Sequence, residues 1–515
     1  MTKTGSGVDD LLTLADALNA ELESSNGRGV RSARGQFTTP SSAARTMAEL
    51  VDLRRSLTVV DPGAGAGALM LALVASAIKN GAVEHLSVDL VETDPGALAL
   101  LETATREAHL AAEAYGVKLT TRIVNQNFCD GYDEYDRYDE YDRYDEYDEY
   151  GRCGRKGVGS FDAVIVNPPY MKLGSSDPCR TVIAERHGVD CPNLYAAFLT
   201  TAMELLRADG QLVAITPRSF ANGLYFSDFR RYLTDKASFR HVVLFDRRDR
   251  VFESSSVLQE TVIFSMRKSA PKEGDCVRVE TRLDHISEPL KVHDVPHHNV
   301  VQLDDPARCI NLPGSPDMLW AAEQIAALPA DLKSLGLTVS TGPVIDFRCR
   351  NYLVAAQAEG SVPLIYPTNL KQARVKWPVE ARKPQGFLVL SQTHRWLFPN
   401  GFYVLVKRFT AKEERRRVVA CVYEPVDGYD QVAFENHVNV IHRDHGPLQK
   451  SEAESLTEFL NSDLVDIYFR MFSGSTQVNA TDLRRLRFPQ VCKSHRLRLF
   501  DAESEDLRLQ HHRTS

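Results

Sequence analysis

Apolar and polar positions alternate along the first half of the chain in two rhythms, one helical and one extended. Residues 41–53 carry Ala44, Met47, Leu50 and Val51 at helical spacing after Pro40, with Ser41 or Ser42 placed to cap them. A short apolar strand over 57–60 runs into Asp61-Pro62-Gly63-Ala64-Gly65-Ala66-Gly67, and a helix is predicted over 68–78. The next strand, 86–91, ends at Glu92-Thr93-Asp94-Pro95, and a helix follows over 96–114. Strands over 117–124 and 161–166 come next, the latter ending at Asn167-Pro168-Pro169-Tyr170. A helix over 194–206 and strands over 211–215, 242–245 and 261–264 complete the series. Strands alternating with helices predict an α/β fold with a mostly parallel sheet covered on both faces. Ligands in such sheets bind outside the carboxyl ends of the strands. The glycine loop, Glu92, Asn127 and the 167–170 run all fall at those ends.

Beyond residue 305 the rhythm changes. A helix is predicted over 316–328, then short strands over 344–347, 362–366, 386–390, 402–406 and 418–423, separated by Pro, Gly and polar breaks. One helix over 452–469 precedes Gly474-Ser475-Thr476-Gln477-Val478-Asn479. The expected division is an N-terminal segment 1–35, a catalytic α/β domain 36–305, a mixed α+β domain 306–500 and a tail 501–515.

Composition narrows the class. The 515 residues are 43% hydrophobic, which excludes wholesale disorder. The longest nearly unbroken apolar run, 68–78, is far below the ~20 residues that span a bilayer, and the polar start lacks the apolar centre of a signal peptide. Nine cysteines with no CxxC pair argue against a disulfide scaffold or a thiolate metal site. A soluble protein of a reducing cytoplasm with no metal is expected. The net charge of -8 is carried by one tract, Tyr132 to Tyr150, whose Tyr-Asp repeat holds six Asp, four Glu and two Arg. We read this insertion as a disordered, low-complexity one without functional effect; an acidic lid that competes with a polyanion is the sharper alternative. The C-terminal third is basic, with 21 Lys/Arg against 14 Asp/Glu over 371–500, which permits a polyanionic partner.

The strand ends carry the chemistry. Glycines 63, 65 and 67 make a GxGxG turn, which lets a cofactor approach the backbone and differs from the GxGxxG dinucleotide fingerprint. Glu92 is placed to accept hydrogen bonds from ribose hydroxyls. Taken alone, the two are equally a tight turn and a surface carboxylate. Asn167 to Tyr170 is more specific. An exocyclic amine on a nucleobase is a poor nucleophile because its lone pair delocalises into the ring. Two acceptors on its hydrogens, the Asn167 side-chain oxygen and the Pro168 carbonyl, draw the nitrogen toward a tetrahedral form. Pro168 and Pro169 fix the backbone, and Tyr170 offers a face for stacking.

With these residues in place the sequence resembles the N6-adenine DNA methyltransferases of type II restriction–modification systems, in the gamma order of motifs. Gly35-Gln36-Phe37-Thr38-Thr39-Pro40 resembles the family's N-terminal cofactor motif, Asp61-Pro62-Gly63-Ala64-Gly65 its cofactor loop, and Glu92 its ribose-binding acid. Asn167, Pro168, Pro169 and Tyr170 resemble the catalytic motif, Asn193 to Phe198 the helix after it, and Thr216-Pro217 the end of the next strand. Phe252 sits where the family has a second aromatic against the extruded base, and 473–479 resembles the late motif that closes the target-recognition domain. One departure stands out: where the family has Asp-Phe, this chain has Asn127-Phe128, with Asp130 two residues on. Either Asn127 or Asp130 holds the cofactor adenine.

The resemblance implies a Rossmann-like sheet binding S-adenosyl-L-methionine, in-line methyl transfer to a flipped-out adenine of double-stranded DNA, and a separate cognate restriction endonuclease. A monomer acting on one strand at a time is expected. Thr39, Asp61, Pro62, Gly63, Gly65, Glu92, Asn127, Phe128 and Asn167 are the expected cofactor residues, and Tyr170 and Phe252 the expected base-stacking pair. Lys407, Arg408, Lys412, Arg415, Arg416, Arg417, Arg484, Arg485 and Arg487 are candidates to neutralise phosphates. N4-cytosine methylation uses the same acceptor geometry. An enzyme acting on protein glutamine or RNA leaves the roughly 200 residues after 305 unexplained. A DNA-binding specificity subunit with a decayed cofactor pocket conflicts with the presence of Thr39, Gly63, Gly65, Glu92 and Asn167. A fused nuclease has little room in the segment before Phe37.

Overall fold

The computed structural model describes residues 4–25, 37–129, 159–245, 260–303, 305–410, 414–471 and 477–490. Two compact units divide the chain, Met1–Pro316 and Asp317–Ser515.

The first unit is built on a nine-stranded sheet in the order β3-β2-β1-β4-β5-β7-β6-β8-β9. Its first five strands are β1 Ser56–Pro62, β2 His85–Val91, β3 Lys118–Val124, β4 Phe161–Val166 and β5 Leu206–Pro217. All pair in parallel. Strand β7 (Thr261–Arg267) enters antiparallel between β5 and β6 (Ser238–Phe245). The predicted parallel half is therefore present. The sheet extends beyond the prediction through β8 (Cys276–Arg282) and β9 (Pro289–Pro296), whose mixed burial breaks the apolar run that marks an inner strand.

Helices cover the sheet. They are α1 Thr4–Ser25, α2 Ser41–Glu49, α3 Ala68–Asn80, α4 Pro95–Ala114, α5 Pro178–His187, α6 Leu194–Leu205 and α7 Ser227–Lys236. Helix α3 is buried along almost its whole length, and its side chains join Val59, Val88, Leu90, Ile165 and Val213 in one core. Strand order reverses between β1 and β4, so their carboxyl ends leave a crevice. The segment after β9 stays with this unit. Thr281 donates to the Gly314 carbonyl at 2.8 Å, and Arg218 donates to that of Leu312 at 3.1 Å.

The second unit opens with helix α8 (Pro316–Ala326). It holds a six-stranded sheet in which Tyr403–Lys407 lies between Val438–His442 and Ala420–Tyr423, and a five-stranded one centred on Ser361–Ile365. Two expectations are corrected here. The helix expected over 452–469 is two helices, α9 Lys450–Leu460 and α10 Asp463–Met471. Between them the Asn461 amide bonds the Ala420 backbone through both its atoms, at 3.0 and 2.8 Å, and Ser462 caps the restart. The strand expected over 344–347 is a single bridge at Val344 followed by a tight helical turn, Asp346–Arg348, because Asp346 accepts from the next backbone amide at 2.7 Å. A last helix, α11, spans Ala480–Arg485.

Candidate active site

At the β1/β4 crevice lies a cavity of about 560 Å³. Thr39, Gly63, Gly65, Glu92, Asn127, Phe128, Asn167 and Pro169 all line it, although they come from segments far apart in sequence.

The loop after β1 is shaped by its glycines. Gly65 and Gly67 adopt φ of +55° and +88°, in the left-handed region that side chains with a Cβ disfavour. Gly67 is also the cap residue of α3, and no side chain caps that helix. The Ala68 and Leu69 positions at its start lie in the cavity wall, so a helix N-terminus faces the cavity. Glu92 is buried and braces the loop. One carboxylate oxygen accepts from Gly65 N at 2.8 Å, and the other from Thr93 N and Asp94 N at 2.7 and 2.8 Å. Asp94 then caps α4 through the amides of Gly96 and Ala97.

Asp61 and Pro62 are not among the wall residues. Asp61 is fully buried in β1 with neither carboxylate oxygen hydrogen-bonded. Burial, and secondly the nearby Glu92 carboxylate, hold its pKa well above the usual carboxylate range.

The geometry at Asn167 is the most informative. Its amide nitrogen donates to the Phe37 carbonyl at 3.0 Å and to Thr39 Oγ1 at 2.9 Å. A carbonyl can only accept, so the nitrogen must face Phe37 and the amide oxygen must point the other way. Tyr170 shares its hydroxyl hydrogen between that oxygen, at 3.2 Å, and the Ile215 carbonyl, at 3.3 Å. Burial, with a smaller contribution from Tyr195, raises the Tyr170 pKa well above that of a free phenol, so this donor stays protonated. The Tyr170 ring lies 5.6 Å from Phe37 and edge-on to Tyr195 at 6.2 Å; it is not part of the cavity wall. Pro168 is buried.

Several wall residues carried no signal as site residues. Asn19 and Leu22 come from α1, Met171 and Leu173 from the turn after Tyr170, Asp177 and Cys179 from the start of α5, and Phe198 from α6. The Phe198 ring packs on Phe128 at 5.1 Å, which ties together wall residues from α6 and from the loop after β3. Asn127 accepts from Cys129 N at 3.3 Å through its amide oxygen. Asp130, Phe252, Lys412, the repeat over 132–150 and residues 472–476 lie outside the described residues.

In the second unit the basic candidates divide. Lys407 pairs with Glu414 at 2.8 Å, Arg416 with Asp463 at 2.8 Å, and Arg484 donates to the Val339 carbonyl at 2.7 Å. Arg408 donates to the Asn436 carbonyl at 3.1 Å and to Gln477 at 3.3 Å. Arg417 is buried and bonds the Thr410 carbonyl, and Arg487 bonds the carbonyls of Leu328 and Pro329. Arg415 is exposed, and Arg485 is partly buried. Among the described residues there is no cluster of His, Cys, Asp and Glu able to hold a metal, and no helix long and apolar enough to cross a membrane.

Comparison with known proteins bears on this geometry. Residues 72–252 match the family described as Eco57I restriction-modification methylase. The chain is 34% identical over 479 residues to the type II methyltransferase M.PstI of Providencia stuartii, covering 92% of this chain and 91% of that protein. It is 35% identical over 462 residues to M.BsuBI of Bacillus subtilis, covering 89% and 88%. Among solved structures, the type IIG restriction endonuclease BpuSI aligns at 13% identity and a TM-score of 0.42, over 92% of this chain and 60% of that one. The EcoKI M protein of a type I restriction enzyme aligns at 17% identity and a TM-score of 0.33, over 48% of each chain.

Proposed function

Because the chain belongs to the type II methyltransferases of restriction–modification systems, we propose that it methylates N6 of an adenine extruded from a specific site in double-stranded DNA, with S-adenosyl-L-methionine as donor. The observation that carries this reading is the orientation of the Asn167 amide, whose nitrogen is spent on Phe37 and Thr39 and whose oxygen is left as an acceptor. With the Pro168 carbonyl beside it, that oxygen takes the two hydrogens of an exocyclic amine and turns the lone pair toward an electrophile. The prolines hold the backbone, and Phe37 and Thr39 hold the Asn167 amide, so little reorganisation is needed during transfer.

The cavity suits the donor. Its volume of about 560 Å³ falls within the range of small-molecule and cofactor sites. Three amides occupy three of the roughly four acceptor positions on Glu92, which leaves one for a ribose hydroxyl. Phe128, Asn127 and the Gly63–Gly65 backbone would hold the adenosine, and Thr39 the amino-acid end. When bound, the cofactor supplies an electrophilic sulfonium methyl. No covalent enzyme intermediate is required.

Extrusion leaves the base without its neighbours. Tyr170 and Phe252 would replace that stacking at about 1–3 kcal/mol per aromatic contact. Arg415, Arg408, Arg416, Lys407, Arg484 and Arg485 would then meet phosphates, with the second unit selecting the target site. Cleavage belongs to a separate cognate endonuclease, and the methyltransferase acts as a monomer.

The test is transfer of labelled methyl to unmethylated DNA, digested to nucleosides, with Asn167→Ala in parallel. N6-methyladenine from the unsubstituted chain and none from the variant supports the reading. N4-methylcytosine keeps the acceptor chemistry and changes the base. Cofactor binding without any DNA methylation refutes it.

A further inference from the structure

Helix α1 is more than a cover on the core. One stripe, Leu11, Ala15, Leu18 and Leu22, is buried in the cluster that contains α3 and α4. The neighbouring stripe, Asp16, Asn19 and Glu23, grips the strap that leads into α2 at three of its residues. Asp16 accepts from the Ser41 amide at 2.9 Å and from its hydroxyl at 2.6 Å. Asn19 donates to the Thr39 carbonyl at 2.8 Å, and Glu23 accepts from the Thr38 hydroxyl. Of these contacts only the one from Asn19 is buried.

That strap is what orients Asn167, through the Phe37 carbonyl and Thr39 Oγ1. From these contacts we infer that Asn19 is a positioning residue for methyl transfer, acting through Thr39 on the Asn167 amide; the inference rests on the function proposed above. Asn167 has two near-isosteric orientations. Only the one with its nitrogen on the strap presents an acceptor to the amine. Rotation by half a turn sets the amide oxygen against the Phe37 carbonyl, two acceptors with no hydrogen between them. The preference therefore lasts only while the strap stays in place. Thr39 is held from both sides, by Asn19 on its carbonyl and by Asn167 on its hydroxyl. Without the Asn19 donor the Thr39 carbonyl is buried unpaired, and the strap relaxes toward other donors.

Asn19→Asp is nearly isosteric and removes the donor when ionised. Single-turnover transfer is measured at saturating cofactor and DNA from pH 5.5 to 8.5, with cofactor and DNA affinities and the melting temperature followed in parallel. At pH 8 the rate constant of Asn19→Asp falls at least tenfold while DNA affinity changes less than threefold. The rate recovers on acidification, because a protonated carboxyl again donates to Thr39, and the unsubstituted chain lacks that recovery. Glu21→Gln, on the exposed side of α1, leaves rate and affinities unchanged. Should Asn19→Asp fail to fold, Asn19→Ser, whose hydroxyl is one bond too short to reach the Thr39 carbonyl, is expected to lose rate in the same way with DNA affinity retained.

A transfer rate for the folded variant within twofold of the unsubstituted chain at pH 8 overturns the inference and leaves the proposed function standing. A rate loss matched by an equal loss of DNA affinity or of melting temperature also overturns it, since that is a structural effect. Absence of DNA methylation by the unsubstituted chain refutes the proposed function, and this inference with it.

Discussion

Replacing Gly67 with alanine separates two costs that the loop after β1 combines. At φ +88° an alanine meets the backbone penalty of the left-handed region, about 1–2 kcal/mol. Its Cβ would also lie 2.9 Å from Ala104 Cβ and 3.0 Å from Leu101 Cδ1, two side chains of α4 that are fully buried. Overpacking of that kind adds about 1–3 kcal/mol, for a sum of about 2–5 kcal/mol. Gly65 is the internal control. Its φ of +55° carries the backbone penalty, but nothing lies within 4 Å of its added Cβ, so Gly65→Ala costs about 1–2 kcal/mol. The assay is urea unfolding of the ligand-free protein. It is followed by far-UV circular dichroism because Trp320, Trp377 and Trp396 all belong to the second unit. At an m value of about 2 kcal/mol per molar, the Gly67→Ala midpoint drops by roughly 1–2.5 M. Adding Ala104→Gly removes the nearer collision, and the double variant recovers part of the loss beyond additivity, about 0.5–3 kcal/mol. Equal costs for the two glycine variants, or strict additivity with Ala104→Gly, would refute the reasoning.

Two further outcomes concern pH. Between the ordinary carboxylate value of 3.8 and the raised value of buried Asp61, the folded chain keeps a proton that the unfolded chain has lost, so stability declines as pH rises through that window. Asp61→Asn removes this dependence. Its melting temperature should exceed that of the unsubstituted chain at pH 7.5 by on the order of 2–4 °C per kcal/mol relieved, and converge with it near pH 3.5; a variant less stable at pH 7.5 contradicts the account. Glu280 behaves in the opposite sense. The His241 hydrogen bond first, then the Arg282 guanidinium, lower its pKa from 4.5 to about 2 against the cost of burial. The stability it contributes is present above pH 4.5 and lost as pH falls toward 2. Glu280→Gln should therefore cost on the order of 1–3 kcal/mol at pH 7 and nothing near pH 2, and parallel melting curves across that range would count against it.

Periodicity carried the parallel sheet because its strands are buried on both faces and read as unbroken apolar runs, as in 161–166, all of which except Asp162 are buried. The same rule hides β8 and β9. Strand β9 has one buried residue, Val295, and Lys291 and Asp294 interrupt it. Helix α9 could not be told from α10 by spacing, since the apolar pattern continues through Asn461. What divides them is the pairing of that amide with Ala420, 41 residues away. The arginines were the least legible. Arg415, Arg416 and Arg417 stand side by side, yet one is exposed, one is paired with Asp463 and one is buried on Thr410.

The site divides along the same line between local and distant causes. That Asn167 belongs to an acceptor pair is local, because two prolines follow it and fix the backbone whatever lies nearby. Which of its amide atoms faces the reacting amine is not local. That choice is made by Phe37 and Thr39, 130 and 128 residues earlier, and their place is set in turn by α1, a helix in the segment 1–35 for which no element was expected. The residue types at 167–170 therefore name a chemistry, and the strap and α1 decide whether that chemistry is aimed. A chain with an intact Asn-Pro-Pro-Tyr and a displaced strap should bind DNA and transfer nothing.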